Sequence, residues 1–555
     1  MYNSLPMRAP LPVMAALLLF CLSSYSLAQE PNSTAQESPL PDGKQLEIDS
    51  AHIGKILVNS KDIFDTSDPK ESYWPYRLAN KLHIVTREDV VRRELLFREV
   101  DLYRQDLIDE SERNLRSLGV IYHVKIRPVA YHDGIVDLEV GTQDTWTLRP
   151  SVRFSRAGGD NTWGFSFSEQ NLVGRLKLLM ISRKSDVDRT TTALQYFDPR
   201  LLGSRYAMRA IYAESSDGNT TGLSFSRPFF SLDTRWAANT SWLDLTQVSK
   251  LYTDGEVSSE FNQDSETFGF SYGVSTGLIG NRVARFTFGY SYERDDFSRD
   301  PDQEGFGTLP VPEDQKFSGP IFTLETLRTR YIKVTNYSQF DREEDFNLGN
   351  DFTASAWLSL RDFGAARSEV ILHFGDSVGI PLSHSANFFY AGMLSGRVGS
   401  GEASNVILSQ ILETYWRATL RQTFYARLGM DVGIDLDEQT QFLLGGDTGL
   451  RGYPTRQFSG DRRLLLTLEH RFFSNVELLR LVRLGAAGFF DIGNAWYGSS
   501  QRVSDLHPDV GVGLRFAVSR SSVATIGRLD LAYSIDAEET DSPKLQLLFG
   551  TALKF

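Results

Sequence analysis

The chain has 555 residues, of which 41% are hydrophobic and 23% are charged, and its mean hydropathy is −0.27. This average is typical of soluble proteins, but a barrel whose strands alternate apolar and polar residues gives the same value. The net charge of −13 argues against a nucleic-acid-binding protein, because such proteins present a basic face.

The first residues have the layout of a secretory signal. Arg8 supplies positive charge, an apolar run extends from Pro12 to Leu22, and Ser26-Leu27-Ala28 forms a small-x-small cleavage site. We therefore predict a signal peptide over residues 1–28. The lone cysteine, Cys21, lies in the apolar run; the alternative, a lipoprotein signal, is disfavoured by the bulky Phe20 before it. Cleavage after Ala28 would leave a chain without disulfides.

Residues 29–45 are rich in Pro, Ser, Gln, Glu and Asn, a composition that predicts a flexible linker. Residues 46–147 then predict a small α/β domain that begins with a strand at Ile53–Val58. Thr86 is the predicted cap of a helix, with Asp89 three residues later. A second helix is predicted over Asp106–Leu118 and ends before Gly119.

Two strands complete this domain. Apolar residues alternate from 120 to 126, and again from 136 to 140. Asp133-Gly134 between them predicts a tight hairpin turn. The expected order is strand, helix, helix, strand, strand, and the alternative to a binding module is a plain α/β spacer.

Residues 148–555 have a different character, since helical periodicity disappears and short alternating runs recur. About twenty such runs are candidate strands. They often carry aromatic residues on the apolar phase, as strands do where their ends meet a lipid interface. Examples are Trp163–Phe167, Tyr206–Tyr212, Gly222–Ser226, Arg235–Trp242, Phe268–Tyr272, Arg285–Tyr292 and Phe388–Met393. A propeller or a sandwich also has many short strands, but no repeat of blade length is present.

A glycine-rich stretch interrupts the alternating runs near residue 450. Four glycines and Pro454 between positions 445 and 454, followed by Gly460, exclude a strand or helix interior and predict a sharply folded loop. If the chain is a barrel, this loop can fold inward and bring Arg451 to carboxylates of the inner wall. The candidates are Glu469 and Asp491, because the guanidinium fork pairs bidentately with a carboxylate. The alternative is a surface turn with an exposed arginine.

The sequence gives little support for a catalytic site or a metal site. Gly273-Val274-Ser275-Thr276-Gly277 matches the nucleophile-elbow pattern, but it lies in an alternating run with no predicted helix after it. The eight histidines show no ligand spacing. We expect no catalytic residue, no metal and no cofactor, and we predict that the protein is not an enzyme.

The strand–helix–helix–strand–strand order resembles a POTRA domain, the periplasmic polypeptide-binding module of outer-membrane assembly factors. Residues 113–124 look like the helix-to-strand junction of that module. One such unit is present. The C-terminus is similar to the sorting signal of outer-membrane barrels, with Gly550, Leu553 and Phe555 at the matching places, whereas Leu548 departs from the polar residue usual there.

The ordered set of Leu450-Arg451-Gly452-Tyr453, then Phe490-Asp491-Ile492-Gly493, then terminal Phe555 resembles the BamA/TamA superfamily of outer-membrane proteins. The resemblance implies a mainly β fold, a transmembrane antiparallel barrel of about sixteen strands after one POTRA-like domain. It also implies that the loop around Arg451 folds into the lumen and touches the strands that carry Glu469, Asp491 and Gly493.

The function implied is insertion or translocation of polypeptides at the bacterial outer membrane, with the N-terminal domain in the periplasm. The implied partners are outer-membrane lipids, unfolded or secreted polypeptide clients and a periplasmic accessory protein. The alternatives are a passive or gated channel and a lipid-handling barrel. All three share this fold and compartment.

Overall fold

The computed structural model describes residues 40–299, 311–498, 505–519, 526–536 and 544–552. A small α/β unit precedes a large closed antiparallel β-barrel. Within these ranges, no helix is both long and apolar enough to cross a membrane. The predicted signal peptide, most of the predicted linker, and Leu553 and Phe555 lie outside the described residues.

The α/β unit packs four helices on a three-stranded sheet of order β1-β3-β2. Strand β1 runs parallel to β3, and β2 runs antiparallel to it. Val136, Leu138 and Val140 of the central strand are each 0% exposed, which places the core along β3. The elements in chain order are α1 (Gly43–Ile48), β1 (His52–Lys61), α2 (Trp74–Leu82), α3 (Glu88–Glu94), α4 (Gln105–Ser117), β2 (Ile121–His132) and β3 (Ile135–Asp144).

Several local predictions hold in this unit. Helix α4 ends before Gly119, whose φ of +74° is readily adopted only by a residue without a Cβ. Asp133 and Gly134 both have positive φ, 54° and 77°, as a type I′ hairpin turn requires. The α2 helix was not predicted.

Two boundaries in the sequence interpretation are wrong. Thr86 does not cap a helix: its hydroxyl and its backbone N–H both donate to the buried Asp144 carboxylate, and α3 begins at Glu88. The predicted linker extends too far, because α1 already starts at Gly43. The Asp42 side chain accepts from the Gln45 N–H at 2.8 Å, and Leu46 is fully buried, so this short helix is capped and anchored.

Within the described residues the barrel closes with 20 strands. They are β4 (Leu148–Ala157), β5 (Asp160–Glu169), β6 (Leu178–Ser185), β7 (Thr190–Asp198), β8 (Ala207–Ser215), β9 (Gly218–Arg227), β10 (Trp236–Thr253), β11 (Glu256–Ser275), β12 (Arg282–Ser298), β13 (Gln315–Arg328), β16 (Asn350–Ser359), β17 (Glu369–Pro381), β18 (Ala386–Gly399), β19 (Glu402–Thr419), β20 (Gln422–Ile434), β23 (Arg462–Leu478), β24 (Val482–Trp496), β25 (His507–Val518), β26 (Ile526–Ser534) and β27 (Leu545–Ala552). Two hairpins are separate from the barrel sheet, β14 (Tyr331–Val334) with β15 (Glu344–Asn347), and β21 (Phe442–Leu444) with β22 (Phe458–Gly460).

The strand number of about sixteen, carried over from the family resemblance, is wrong. The physical reason lies in the residues themselves: the alternating runs after Thr147 nearly all enter the wall, and each pairs antiparallel with its chain neighbour. The number of strands was therefore better read from the periodicity than from the resemblance. The mainly β fold with one preceding α/β unit is confirmed.

The outer surface of the barrel is apolar and aromatic, and the inner surface is polar. In β25 the outward side chains Val510, Val512 and Leu514 are 44%, 63% and 50% exposed, while Asp509 and Arg515 on the opposite face are 0% and 1% exposed. The same alternation recurs in other strands. An apolar band facing outward in a closed wall is the surface of a barrel that spans a bilayer.

The α/β unit lies at one end of the barrel, here called the domain end. It contacts the loops that follow β5, β7, β9, β13 and β23. The connections pair Thr86 with Asn171, Glu94 with Arg200, Glu110 with Leu232, Arg116 with Asp345, and Tyr76 with Leu479. Three residues, 145–147, join β3 to β4, and buried Thr145 donates its N–H to the Val120 carbonyl at 3.0 Å.

Replacing the central core residue tests whether the α/β unit is held by this sheet. Leu138→Ala should destabilise the unit by about 2–5 kcal/mol, since it deletes fully buried methyl groups and leaves a cavity. The measurement is the urea dependence of proteolysis of the unit in the full-length protein. Leu57→Ala is the matched control, because Leu57 is 51% exposed on the neighbouring strand. Equal effects of the two substitutions would contradict the assignment.

Candidate functional site

The loop between β20 and β23 enters the barrel from the far end, opposite the α/β unit. Its neck is the β21–β22 hairpin, and a single 3-10 turn at Gly446–Thr448 reverses the chain. Gly445 and Gly449 have φ of 127° and 117°, values that side-chain-bearing residues rarely adopt. A Cβ at Gly449 would lie 2.4 Å from Leu465 Cδ2, so glycine also allows the loop to approach the wall.

The structure brings Arg451, Glu469 and Asp491 together. Arg451 Nε and Nη2 donate to the two carboxylate oxygens of Asp491 at 2.7 and 3.0 Å, and Nη1 donates to Glu469 Oε1 at 2.9 Å. The guanidinium carbon lies 3.5 Å from the centre of the Phe489 ring. Arg451 is 7% exposed, so the alternative of an exposed surface arginine is excluded. Three hydrogen bonds and a ring face fix this side chain in the lumen.

The residues on either side of Arg451 anchor the rest of the tetrad Leu450-Arg451-Gly452-Tyr453. Leu450 is fully buried against Leu444 and Leu465. The Gly452 N–H donates to Asp509 Oδ2 at 2.9 Å, and a Cβ there would lie 2.8 Å from Asp509 Cβ. In this tetrad Leu450 packs in an apolar cluster, Arg451 supplies the cation, and Gly452 allows the backbone to approach the wall closely.

Tyr453 and Gly493 complete the contact between loop and wall. The Tyr453 hydroxyl donates to the Pro508 carbonyl at 3.0 Å and to the Asp536 carboxylate. Gly493 is not a partner of Arg451: a Cβ there would lie 2.3 Å from the Leu464 carbonyl oxygen and 3.2 Å from Leu444 Cδ2. Because Gly493 has no side chain, the β21–β22 neck of the loop can pack closely against the wall at this position.

Sequence reasoning missed four charged wall residues. Asp509, Arg515 and Asp530 line β25 and β26, and Arg471 follows Glu469 on β23; all four are at most 3% exposed. Arg471 Nε donates to Glu469 Oε2 at 2.9 Å, Arg515 donates to Asp530, and Asp530 lies 4.0 Å from Arg451. The available signal was a charged residue on the polar phase of an otherwise apolar alternating run.

A second inward segment, residues 329–349 between β13 and β16, enters from the domain end. The Tyr337 carbonyl accepts from Arg471 Nη1 at 2.9 Å, and the Tyr337 ring stacks on Tyr415 with centroids 4.9 Å apart. Glu344 accepts from the backbone N–H groups of residues 337–339 and holds the tip of the segment in shape. Glu469 therefore bonds one arginine of the far-end loop and another that holds the domain-end segment.

The second segment also binds the α/β unit. Arg116 donates through Nε and Nη2 to both oxygens of Asp345, each at 3.0 Å. Lys333 donates to Glu112 at 3.0 Å. Burial alone would raise the pKa of Glu112, but the hydrogen bonds from the Ile126 N–H and from Lys333 outweigh it and lower that pKa.

The far-end base of the arginine loop is tied to the β6–β7 turn. Arg456 donates to the two oxygens of Asp188 at 2.8 and 2.7 Å, and Tyr252 donates to the same carboxylate at 2.6 Å. Burial alone would raise the pKa of Asp188, but the hydrogen bonds from Arg456 and Tyr252 outweigh it and lower the pKa to about 2.

The first and last strands meet at a seam between β4 and β27. Strand β4 pairs with β5 over all ten of its residues, whereas in the described residues only Phe549 and Arg156 register across the seam. Phe154 and Phe549 stack there with ring centroids 5.1 Å apart. A Cβ built on Gly550 would lie 3.1 Å from Ser155 Cβ, so this glycine belongs to the seam. Leu553 and Phe555 lie beyond the described residues.

The nucleophile-elbow pattern at residues 273–277 begins in a strand, as the alternating sequence predicted. Gly273 and Ser275 belong to β11, and the chain continues through a turn to β12. No helix follows Ser275 before β12 begins at Arg282. Across the described residues, no cluster of three His, Cys, Asp or Glu side chains is arranged to hold a metal ion.

No family model and no curated protein sequence matches the chain. Among solved structures, it is similar to BamA from Haemophilus ducreyi lacking POTRA domains 1-3, at 13% identity over 90% of this chain and 84% of that one, with a TM-score of 0.37. CdiB from Escherichia coli is 12% identical over 91% and 77%, with a TM-score of 0.46. The FrpB iron transporter from Neisseria meningitidis is 10% identical over 79% and 87%, with a TM-score of 0.38. BamA and CdiB are thus among the solved structures to which this chain is similar.

Removing the lumen cation should loosen the loop. Arg451→Ala leaves Glu469 and Asp491 buried with lost hydrogen bonds, a change that typically costs about 3–5 kcal/mol. We expect single-channel recordings in planar bilayers to change from a small conductance to a larger or flickering one. Arg451→Lys keeps the charge without the fork and should lie between the two. A large, steady conductance that is the same in all three proteins would contradict a plugged lumen.

Acid should release the base of the loop. Because the pKa of Asp188 is lowered to about 2 in the folded protein, the Asp188–Arg456 pair is stabilising above the unfolded pKa and is lost as the pH falls through the folded one. That window runs from roughly pH 4 down to roughly pH 2. Conductance fluctuations of the wild type should rise in this range.

Asp188→Asn is the matched control for the acid experiment. Its side chain has no proton to gain, so this variant should fluctuate more at pH 5 and change less on acidification. Identical pH profiles of the two proteins would show that this pair does not hold the loop.

Proposed function

We propose that the protein is an outer-membrane barrel that inserts or translocates polypeptides, with residues 46–147 as a POTRA-like periplasmic domain. The observation that carries the proposal is the seam. Strand β27 pairs with β26 through eight registered residues, and β4 pairs with β5 through ten, but the two strands share one registered pair in the described chain. Among the residues that the structure describes, this is the junction of the wall with the fewest registered pairs.

An open seam would offer backbone groups to a client. Unpaired N–H and C=O groups of an edge strand are a template for another strand. A polypeptide that adds to β4 would satisfy them and would already lie at the lipid boundary. In the closed state, the Phe154–Phe549 stack covers the outer side of this junction.

The occupied lumen supports lateral handling of clients over passive conduction. The arginine loop enters from one end and residues 329–349 enter from the other, and both bond the same stretch of β23 through Glu469 and Arg471. A passive channel needs a continuous aqueous path, so this arrangement suits it less well. A lipid-handling barrel shares the lateral opening, and we treat it as the rival outcome of the experiment below.

The arginine loop then acts as a support of the wall. Strands β23 and β24 carry Glu469 and Asp491, so Arg451 holds the two neighbouring strands together while the seam opens elsewhere. In this proposal the partners are outer-membrane lipids, unfolded or secreted polypeptides, and a periplasmic accessory protein that docks on the POTRA-like domain. No catalytic chemistry is assigned.

Locking the seam should stop client assembly. Ser155→Cys with Gly550→Cys places two Cβ atoms 3.1 Å apart. A disulfide spans about 3.5–4.5 Å between Cβ atoms, so a shift of a few tenths of an ångström allows the bond. Proteoliposomes containing the oxidised variant, given a urea-denatured outer-membrane barrel protein, should fold far less of it than the wild type, as judged by heat-modifiable gel mobility. Reduction should restore folding.

The matched control locks a junction that stays closed. Ser155→Cys with Thr162→Cys crosslinks β4 to β5, which are in register at these positions, and should leave folding unchanged. Inhibition by both crosslinks would point to general rigidity. Unchanged client folding with a locked seam, together with faster lipid exchange in the open form, would replace the proposal with lipid handling.

A further inference from the structure

Helix α2 turns an apolar face away from the unit to which it belongs. Trp74, Leu78 and Leu82 recur every fourth residue, so they lie on one side of the helix. They are 76%, 44% and 56% exposed. Large apolar side chains that are exposed together in this way mark a contact surface rather than a core.

The opposite side of α2 is firmly held. Tyr76 is buried, its ring packs 4.7 Å from that of Phe64, and its hydroxyl donates to the Leu479 carbonyl at 2.7 Å. Asn80 exchanges hydrogen bonds with the backbone of Phe64. The exposed face is therefore presented by an anchored helix.

This face is continuous with the outer wall of the barrel. Leu82 and Ile84, the latter 53% exposed, line a groove of about 500 Å³ whose other wall is formed by outward-facing side chains of the barrel. Those side chains include Phe167, Leu179 and Ile181, which belong to the apolar band. The surface of α2 thus extends the band beyond the ends of the strands.

The neighbouring rim has the same character. Val173, Leu202 and Leu479 lie in loops of the domain end and are 45%, 97% and 81% exposed. Single exposed leucines are common, but these three residues all lie at the end of the barrel that carries α2. Together they add apolar surface to the domain end.

Two cations border the apolar face of α2. Arg77 and Lys81 are exposed and lie beside Trp74 and Leu78 on the helix surface. Long basic side chains at this position can extend toward lipid phosphates while their stems cover apolar surface. An indole is also favoured at the boundary between acyl chains and headgroups.

We propose that α2 is an interfacial helix that lies in the phospholipid leaflet at the domain end of the barrel. Trp74, Leu78 and Leu82 enter the boundary of the acyl chains, and Arg77 and Lys81 meet the phosphates. The occupant is lipid because the face continues the lipid-facing wall. This inference concerns the closed barrel in its membrane and does not depend on client handling.

The position of α2 relates this anchor to the seam. Tyr76 bonds the loop between β23 and β24, whereas Ile84 lies against the loop between β5 and β6. In the barrel order these loops stand on either side of the β27–β4 junction. The lipid beneath the seam is therefore the lipid that α2 would contact.

A spin label on α2 tests the proposal directly. With Cys21 replaced by Ser, Leu78→Cys offers one thiol on an exposed position, so labelling leaves the Tyr76 packing intact. The labelled protein is placed in phospholipid nanodiscs that hold one barrel each. The nitroxide at position 78 should then show a ratio of oxygen to nickel-chelate accessibility severalfold higher than that of a free nitroxide in detergent-free buffer. Asp133→Cys, on the hairpin turn of the same unit, is the matched control and should report water.

Three outcomes separate the occupants. A high oxygen preference at 78 and a low one at 133 in single-barrel discs supports the lipid assignment. Equal, water-like accessibility at both positions overturns it. Protection at 78 that appears only in discs with two barrels identifies a second copy of the chain as the occupant and also overturns it.

Discussion

The contact of Arg451 with Asp491 and Glu469 is the interaction on which the arrangement of the lumen depends. An arginine buried this deeply is tolerated only because its fork meets two carboxylates and its plane lies on Phe489. The loop that carries it contributes backbone N–H and carbonyl groups of its own, and these are bonded to the wall as well. One cation thereby fixes a long excursion of the chain inside the barrel.

Charge balance extends this constraint beyond the loop. Glu469 accepts from Arg451 on one side and from Arg471 on the other, and Arg471 in turn bonds the Tyr337 carbonyl. The loop that carries Arg451 and the segment 329–349 enter the barrel from opposite ends. The loop is bonded to Glu469, and the segment is bonded to Arg471, which itself donates to Glu469. Buried pairs of this kind add little net stability, because desolvation offsets the attraction. Their value here is positional: each charge has one place where it is compensated.

The sequence predicted the fold to the extent that local periodicity and turn chemistry determine it. The alternating runs, the Asp133-Gly134 turn and the end of α4 at Gly119 depend on neighbouring residues, and all are present. The prediction that Thr86 caps a helix was wrong because its hydroxyl donates to Asp144, which is distant in sequence. The expected number of strands was wrong because it was taken from the family resemblance and not from the number of alternating runs in this sequence.

The wall charges show a second limit of the sequence. Arg451, Glu469 and Asp491 were predicted because a glycine-rich loop with one arginine needs carboxylates opposite it. Asp509, Arg515 and Asp530 lie on the polar phase of their strands, but nothing local distinguishes an inward charge with a partner from one in water. Helix α2 was missed because its apolar residues face outward, away from the core that helical periodicity is expected to mark.

The junction between β3 and β4 has a mechanical consequence. Strand β3 is the central strand of the α/β unit, β4 is one edge of the seam, and only residues 145–147 separate them. Thr145 and Thr147 are buried, and Thr145 is hydrogen-bonded, so this connection has little slack. A rotation of the α/β unit would therefore also turn the start of β4. The unit is in this way directly connected to one edge of the seam.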